Sequence, residues 1–212
     1  MKLDHIEPAP IRSADIEVAG DKSISHRALM LGAIAEGKTE VDGLLIGADC
    51  LATLSALESL GVRIDRPAPT SAIVHGVGLQ GLQAASGVLD IGNSGTALRL
   101  FSGLLCAQTF DSTLVGDSSL SQRPMKRVIT PLAMMGAHID RNDGMPPLNM
   151  RGNQSLNAIT YSLPVASAQV KSALLLAGLY ADGETCLSEP AVTRDHTERM
   201  LATMGVSLHA ES

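Results

Sequence analysis

Apolar residues fall along this chain in runs of two kinds. Long Ala/Leu-rich runs with helical spacing cover Ser25 to Ala35, Ser94 to Ala107 and Ser167 to Tyr180. Each is followed by a short strand pattern: Thr39 to Val41, Ser112 to Val115 and Thr185 to Leu187. Opening strands are expected at Asp15–Val18, Val88–Ile91 and Thr160–Leu163. Closing hairpins are expected at Val62–Asp65 with Ala72–His75, and at His138–Asp140 with Leu148–Met150, the second turning around Asn142-Asp143-Gly144.

The runs repeat. A helix-like stretch ends on Leu57-Glu58-Ser59-Leu60-Gly61 before Val62-Arg63-Ile64-Asp65. The same pattern returns at Leu132-Ala133-Met134-Met135-Gly136 and at Leu201-Ala202-Thr203-Met204-Gly205. Each Gly stands where a helix needs a left-handed cap before the chain enters a strand. Ala35-Glu36-Gly37-Lys38-Thr39 likewise resembles Ala181-Asp182-Gly183-Glu184-Thr185. Each unit reads strand, helix, strand, helix, strand, strand. In the third unit the first closing strand is expected at Val206–Leu208, and its returning partner is missing. The expectation is therefore a piece of a longer polypeptide, or a strand supplied from elsewhere.

Composition narrows the function classes. The chain has 212 residues, 16 Lys+Arg against 22 Asp+Glu, two Phe, two Tyr and no Trp. A net charge of −6 with so few rings is a poor match to nucleic-acid binding, which needs a basic footprint and stacking surfaces. Cys50, Cys106 and Cys186 are too far apart for a zinc site and odd in number, and are expected to be buried reduced thiols. The six His lack metal-ligand spacing, and neither a metal nor a cofactor is implied. Met1-Lys2-Leu3-Asp4-His5 has no signal-peptide core, and no apolar run approaches the ~18 residues of a membrane span, so a cytoplasmic, membrane-free chain is expected.

Candidate chemistry lies before the helices. Gly20-Asp21-Lys22-Ser23-Ile24-Ser25-His26-Arg27, Ile91-Gly92-Asn93-Ser94-Gly95-Thr96 and Val165-Ala166-Ser167-Ala168-Gln169 are small or polar turns with Ser or Thr near the N-cap. Capping explains any one of them. Three together, carried to one end of a pseudo-threefold domain, make an anion site, because helix N-termini offer free N–H groups and partial positive charge. Lys22 and Arg27 read as first-turn cations, poorly placed for helix stability and well placed for a ligand anion. Arg123 stands at another expected helix start before Pro124. Lys126 and Arg127 read as a solvated face, and Arg194 fits either a surface role or the site. Asp49 reads as a cap for a helix beginning near Cys50, Glu198 as completing a capping box with Thr193 or Asp195, and His26 as a local hydrogen-bonding residue. His138 and His209 fall on expected short strands.

Asp21-Lys22-Ser23-Ile24-Ser25-His26-Arg27, Gly92-Asn93-Ser94-Gly95-Thr96, Gln122-Arg123-Pro124-Met125, Ala166-Ser167-Ala168-Gln169-Val170-Lys171-Ser172-Ala173 and Thr193-Arg194-Asp195-His196-Thr197-Glu198 occur in order. They resemble the N-terminal half of the 5-enolpyruvylshikimate-3-phosphate synthases. The resemblance implies an α/β domain of three βαβαββ units, the inside-out α/β barrel of the enolpyruvyl transferase fold, with its third unit incomplete. It implies a strand or hinge segment at 1–14, a truncated N-terminal domain at 15–212 and a complementary C-terminal half as partner. It implies transfer of the enolpyruvyl group of phosphoenolpyruvate to the 5-hydroxyl of shikimate-3-phosphate, with release of phosphate.

By the same resemblance, shikimate-3-phosphate falls to Lys22, Ser23, Arg27, Ser167, Ala168, Gln169 and Arg194. Phosphoenolpyruvate falls to Lys22, Asn93, Gly95, Thr96 and Arg123, with Lys22 in the catalytic role. The family's acid and base groups lie in the other half, so a non-catalytic binding half is the alternative. The related UDP-N-acetylglucosamine enolpyruvyl transferases carry a reactive Cys shortly before a similar Arg-Pro pair, and Gly116 to Arg123 holds none. Glyphosate occupies the phosphoenolpyruvate site of the resembled family. Tolerant relatives can carry Ala at the position of Gly95, and many relatives have Pro at that of Leu100.

Overall fold

The computed structural model describes residues 18–210. The expected strand at Asp15–Val18 falls almost wholly outside them, as does the 1–14 segment.

The first unit runs α1 (Lys22–Ile34), β1 (Glu36–Asp42), α2 (Ala48–Ser59), β2 (Arg63–Ala68) and β3 (Ser71–Val77). The second runs β4 (Leu89–Asp90), α3 (Gly95–Leu105), β5 (Ser112–Val115), a 3-10 turn (Leu120–Gln122), α4 (Lys126–Met134), β6 (Ile139–Asn142) and β7 (Met145–Met150). The third runs β8 (Thr160–Ser162), α5 (Ala168–Gly178), β9 (Cys186–Ser188) and α6 (His196–Thr203).

Sheet order confirms the repeat. β1-β3-β2 in the first unit matches β5-β7-β6 in the second, both antiparallel, and β4 adds to β5 in parallel. In the third unit β8 pairs with β9, again in parallel. The β6–β7 turn places Asp143 at φ 51° and Gly144 at φ 81°, as a tight hairpin turn requires.

The three helix ends obey one rule. Gly61, Gly136 and Gly205 have φ of 86°, 102° and 88°. In each, the residue after the Gly donates its N–H back to a Leu carbonyl: Val62 to Leu57 at 3.1 Å, Ala137 to Leu132 at 3.0 Å, Val206 to Leu201 at 3.0 Å. These bonds, with those from the Gly N–H groups, satisfy carbonyls that the helix itself leaves open.

The core sits between the units' first helices. α1 is buried on every side from Ser25 to Ile34, and α3 nearly so. Such helices need partners all round. α3 lies against α5 so closely that a Cβ on Gly103 would stand 2.0 Å from the carbonyl oxygen of Ala173. The sheets cover this helical centre. Ala72 and Val74 of β3, and Leu148 and Met150 of β7, face inward and are buried, while Lys38, Glu40 and Asp42 of β1 face water. The second helices bury one stripe each, as in Cys50, Thr53, Leu54 and Leu57 of α2.

Four expectations need correction. Val206–Leu208 forms no strand, because a strand exists by its ladder and nothing among the described residues pairs with it. The residues around His209 form none either, and His138 lies just before β6. Cys186 is exposed on β9, whereas Cys50 and Cys106 are buried as expected. α1 begins three residues before Ser25, because Asp21 caps it by accepting the Ile24 N–H at 2.8 Å.

Gly103→Ala should destabilise the fold by about 1–3 kcal/mol in urea unfolding, although Ala is the better helix former by about 1 kcal/mol. The added methyl must push the two helices apart. An unchanged or raised midpoint would show that α3 and α5 are free to separate at no cost.

Candidate functional site at three helix starts

The N-terminal turns of α1, α3 and α5 are joined by hydrogen bonds between side chains far apart in sequence. Gln169 of α5 donates its amide to Thr96 Oγ1 of α3 at 2.9 Å and accepts from Arg99 Nη1 at 2.9 Å. His26 of α1 touches Ser94, the N-cap of α3, at 3.3 Å. Arg27 of α1 donates to Ser172 of α5 and to Thr197 of α6, both at 2.6 Å. Arg194, just before α6, donates to Ser23 Oγ at 2.9 Å. Three like-poled helix ends thus share one corner. Each brings first-turn amides that the helix does not use, and Ser94 and Ser167 take one amide each as N-caps.

Cations gather at the same corner. A Cβ on Gly95 would lie 2.9 Å from Arg99 Nη1 and 3.0 Å from Arg123 Nη1, so two guanidinium groups flank the space that this glycine leaves. Arg99 also donates to the Gly95 carbonyl at 2.8 Å. Burial first, and then the neighbouring charges of Arg123 and Arg127, hold its pKa below the ordinary arginine value. Arg123 donates to Asn93, whose amide donates to Asp117 at 2.7 Å. Among the described residues, neither Arg99, Arg123 nor Arg194 forms a direct ion pair. Two half-buried guanidinium groups and an exposed third, none in a direct ion pair, at converging helix starts are the arrangement that binds an anion.

A family model described as EPSP synthase (3-phosphoshikimate 1-carboxyvinyltransferase) matches residues 7–212. The chain belongs to the EPSP synthase family. It is 59% identical over 208 residues to the 3-phosphoshikimate 1-carboxyvinyltransferase of Alkalilimnicola ehrlichii, covering 98% of this chain and 47% of that protein. It is 58% identical over 199 residues to that of Methylococcus capsulatus, covering 93% and 46%. An EPSP synthase structure from Acinetobacter baumannii superposes with a TM-score of 0.89 at 54% identity, covering 92% of this chain and 44% of the other. The chain therefore has the enolpyruvyl transferase fold and spans about half the length of the relatives it matches.

All eleven expected EPSP synthase site residues lie on or beside these turns, in differing states. Lys22, Asn93 and Arg194 are exposed; Ser23, Thr96, Arg123, Ser167, Ala168 and Gln169 are half-buried; Gly95 is buried. Arg27 is only 3% exposed and sits in the second turn of α1 rather than the first. Its guanidinium is held by the Ser23 carbonyl, Ser172 and Thr197, so it braces α1 against α5 and α6. Arg123 ends the 3-10 turn instead of opening a helix, because α4 starts only at Lys126. Lys126 and Arg127 are exposed, as a solvated face should be.

Two acidic residues do other work than expected. Gly47 caps α2, and Asp49, inside its first turn, pairs with Lys22. Glu198 does not complete a capping box. With Glu189 it holds Lys171, at 2.6 and 2.8 Å. Burial opposes the charge on Lys171, but these two carboxylates raise its pKa above the ordinary lysine value. Arg99 was not expected at the site at all. A cation at the opening of the second turn of a helix whose first turn carries no acid is the sequence signal that marks it.

Neither buried thiol is poised for chemistry. Burial pushes Cys50 up to about 11 and Cys106 up to about 12. Among the described residues no group of three or more His, Cys, Asp or Glu is placed to hold a metal ion, and no helix is long and apolar enough to cross a membrane.

His26 is fully buried, and burial, aided by Lys22, lowers its pKa from 6.5 to about 4. The unfolded chain thus takes up a proton on falling through pH 6.5, while the folded chain resists until about pH 4. The stability His26 contributes is whole above pH 6.5 and drains away towards pH 4, by about 3 kcal/mol at most. Urea unfolding from pH 7 downward should show wild type losing stability more steeply than His26→Gln, which cannot titrate. Parallel curves would remove His26 from the acid response.

Proposed function

We propose that this chain is the substrate-binding half of a 3-phosphoshikimate 1-carboxyvinyltransferase. In this reading the 5-hydroxyl of shikimate-3-phosphate attacks C2 of phosphoenolpyruvate as C3 gains a proton. The tetrahedral ketal phosphate then loses phosphate and a proton to give the enol ether. Two phosphates and a carboxylate must be held together against their repulsion, and fixed N–H groups and cations do this without reorganising during the reaction. The observation that carries the reading is the meeting of three helix starts with cations that lack direct ion pairs.

Within it, Lys22, Ser23, Arg27, Ser167, Ala168, Gln169 and Arg194 take shikimate-3-phosphate. Asn93, Gly95, Thr96 and Arg123 take phosphoenolpyruvate, with Lys22 reaching both. Arg27 acts chiefly by holding Ser23 and Ser172 in place, given its burial. The acid and base groups belong to a complementary half, and the described residues of 15–212 form one domain.

Shikimate-3-phosphate should bind this chain, more weakly as salt rises. Lys22→Ala and Ser167→Ala should each weaken binding about ten- to hundredfold, since hydrogen bonds involving charged groups contribute roughly 1.5–3 kcal/mol. Wild-type affinity in both variants by calorimetry would move the site elsewhere. Phosphate release from the two substrates should be negligible for this chain and should appear when a polypeptide matching the rest of its relatives is added. Robust turnover by the chain alone would refute the division of labour.

Glyphosate should inhibit the two-part enzyme competitively with phosphoenolpyruvate, and Gly95→Ala should relieve that inhibition while weakening phosphoenolpyruvate. The new methyl would press on Arg99 and Arg123, both at 3.0 Å or less. Inhibition curves at fixed phosphoenolpyruvate decide it. Insensitivity already present with Gly95 would shift the explanation to Leu100, which is buried in α3.

A further inference from the structure

His26 joins three elements through one ring. Its Nδ1 lies 2.7 Å from Thr53 Oγ1 of α2 and its Nε2 3.3 Å from Ser94 Oγ at the start of α3. The two hydroxyls assign the protons. Thr53 donates to the Asp49 carbonyl at 3.3 Å, so its single proton is used and it accepts from the ring. Ser94 Oγ accepts the Ala97 N–H at 3.2 Å, and its own proton finds its acceptor in the ring. One form of the imidazole satisfies both: neutral, with the proton on Nδ1 and the lone pair on Nε2.

The chain of bonds links two parts of the site. At one end Ser94 caps α3 directly before Gly95 and Thr96. At the other, Thr53 lies one turn along α2 from Asp49, the partner of Lys22. An imidazolium would turn a second N–H towards Ser94, and the serine would lose the acceptor that orients it. Lys22 and Arg27 on α1 oppose that charge, and Asp49 on α2 favours it less strongly than burial disfavours it.

We propose that His26 is a positioning residue: as the neutral Nδ1–H tautomer it fixes the Ser94 hydroxyl, and so holds the start of α3 in register with the Lys22–Asp49 pair for a shared phosphorylated, carboxylated ligand. The role rests on the reading of the α3 start as the phosphoenolpyruvate site; the tautomer does not.

Two amide variants separate the ring's two bonds. In His26→Asn the amide N–H stands near Nδ1 and keeps Thr53 but abandons Ser94. In His26→Gln the amide oxygen reaches the place of Nε2 and keeps an acceptor for Ser94. The probe is phosphoenolpyruvate, titrated by calorimetry into this chain saturated with shikimate-3-phosphate. His26→Asn should weaken it about tenfold, the size of a lost helix cap, with shikimate-3-phosphate itself changed by no more than about twofold. His26→Gln should stay close to wild type for both ligands. Nitrogen NMR of the imidazole should show Nδ1 protonated and Nε2 bare at neutral pH.

Equal losses of both ligands in both variants would reduce His26 to a packing residue. Unchanged phosphoenolpyruvate affinity in His26→Asn, or an Nε2–H or charged ring, would overturn the proposal outright. A wild-type chain that binds neither ligand would sink the functional reading and the positioning role with it, and a ring still protonated on Nδ1 would mark that failure as belonging to the function and not to the hydrogen-bond assignment.

Discussion

Helices that point the same way repel at their ends. α1, α3 and α5 bring three positive poles to one corner, and Lys22, Arg99, Arg123 and Arg194 add formal charge there. The charge in that corner opposes assembly without a ligand, and the hydrogen bonds across it must be backed from elsewhere. Burial does most of this, with α1 enclosed along ten consecutive residues and α3 against α5 at backbone contact distance. A bound anion then relieves a repulsion that the core already sustains. An anion that binds the folded state there would stabilise it by mass action.

The polar cross-links between these helices follow from the same constraint. Arg27 places a guanidinium among neutral oxygens of Ser23, Ser172 and Thr197, with Glu198 near enough to favour its charge and burial opposing it. A buried cation so held is costly to move, because every displacement strands a donor. Arg27, His26 and Gln169 therefore set the relative positions of the helix starts more exactly than apolar contacts would, since hydrogen bonds have preferred lengths and directions and apolar packing does not.

Local physics was legible in the sequence, and so were the elements it governs. The glycines at 61, 136 and 205 were readable because a left-handed cap has one favoured residue type, and all three end their helices by the same backbone bonds. β5 was readable to its exact bounds from its alternating pattern. The start of α1 was misplaced because Asp21 and Ser25 are both credible caps, and only the geometry chooses between them. Val206–Leu208 has a strand's pattern without a strand's partner, which a pattern cannot reveal. Pairings across elements were out of reach for the same reason: Asp49 with Lys22, Glu198 with Lys171 and Arg99 with Gln169 depend on how helices settle against one another. Each acid satisfied a plausible local role on paper and a stronger distant one in the fold.

The repeat also separates scaffold from chemistry. α1 and α5 share the form of their capping bond, made by Asp21 in one and Ser167 in the other, a length to their glycine and the contact that glycine makes: a Cβ on Gly32 would meet Thr39, and one on Gly178 would meet Thr185. Superposing those two contacts sets Lys22 against Ala168, Ser23 against Gln169, His26 against Ser172 and Arg27 against Ala173. The positions that build the helix and its turn agree between the units, while those facing the shared corner or a neighbouring helix differ. The symmetric part supplies three equivalent helix starts, which alone would cradle any anion equally. The asymmetric part puts an ammonium on one start, a carboxamide on another and a glycine between two guanidiniums on the third. Different anions can be told apart on such a symmetric frame, because each helix start presents different chemistry around the same backbone geometry.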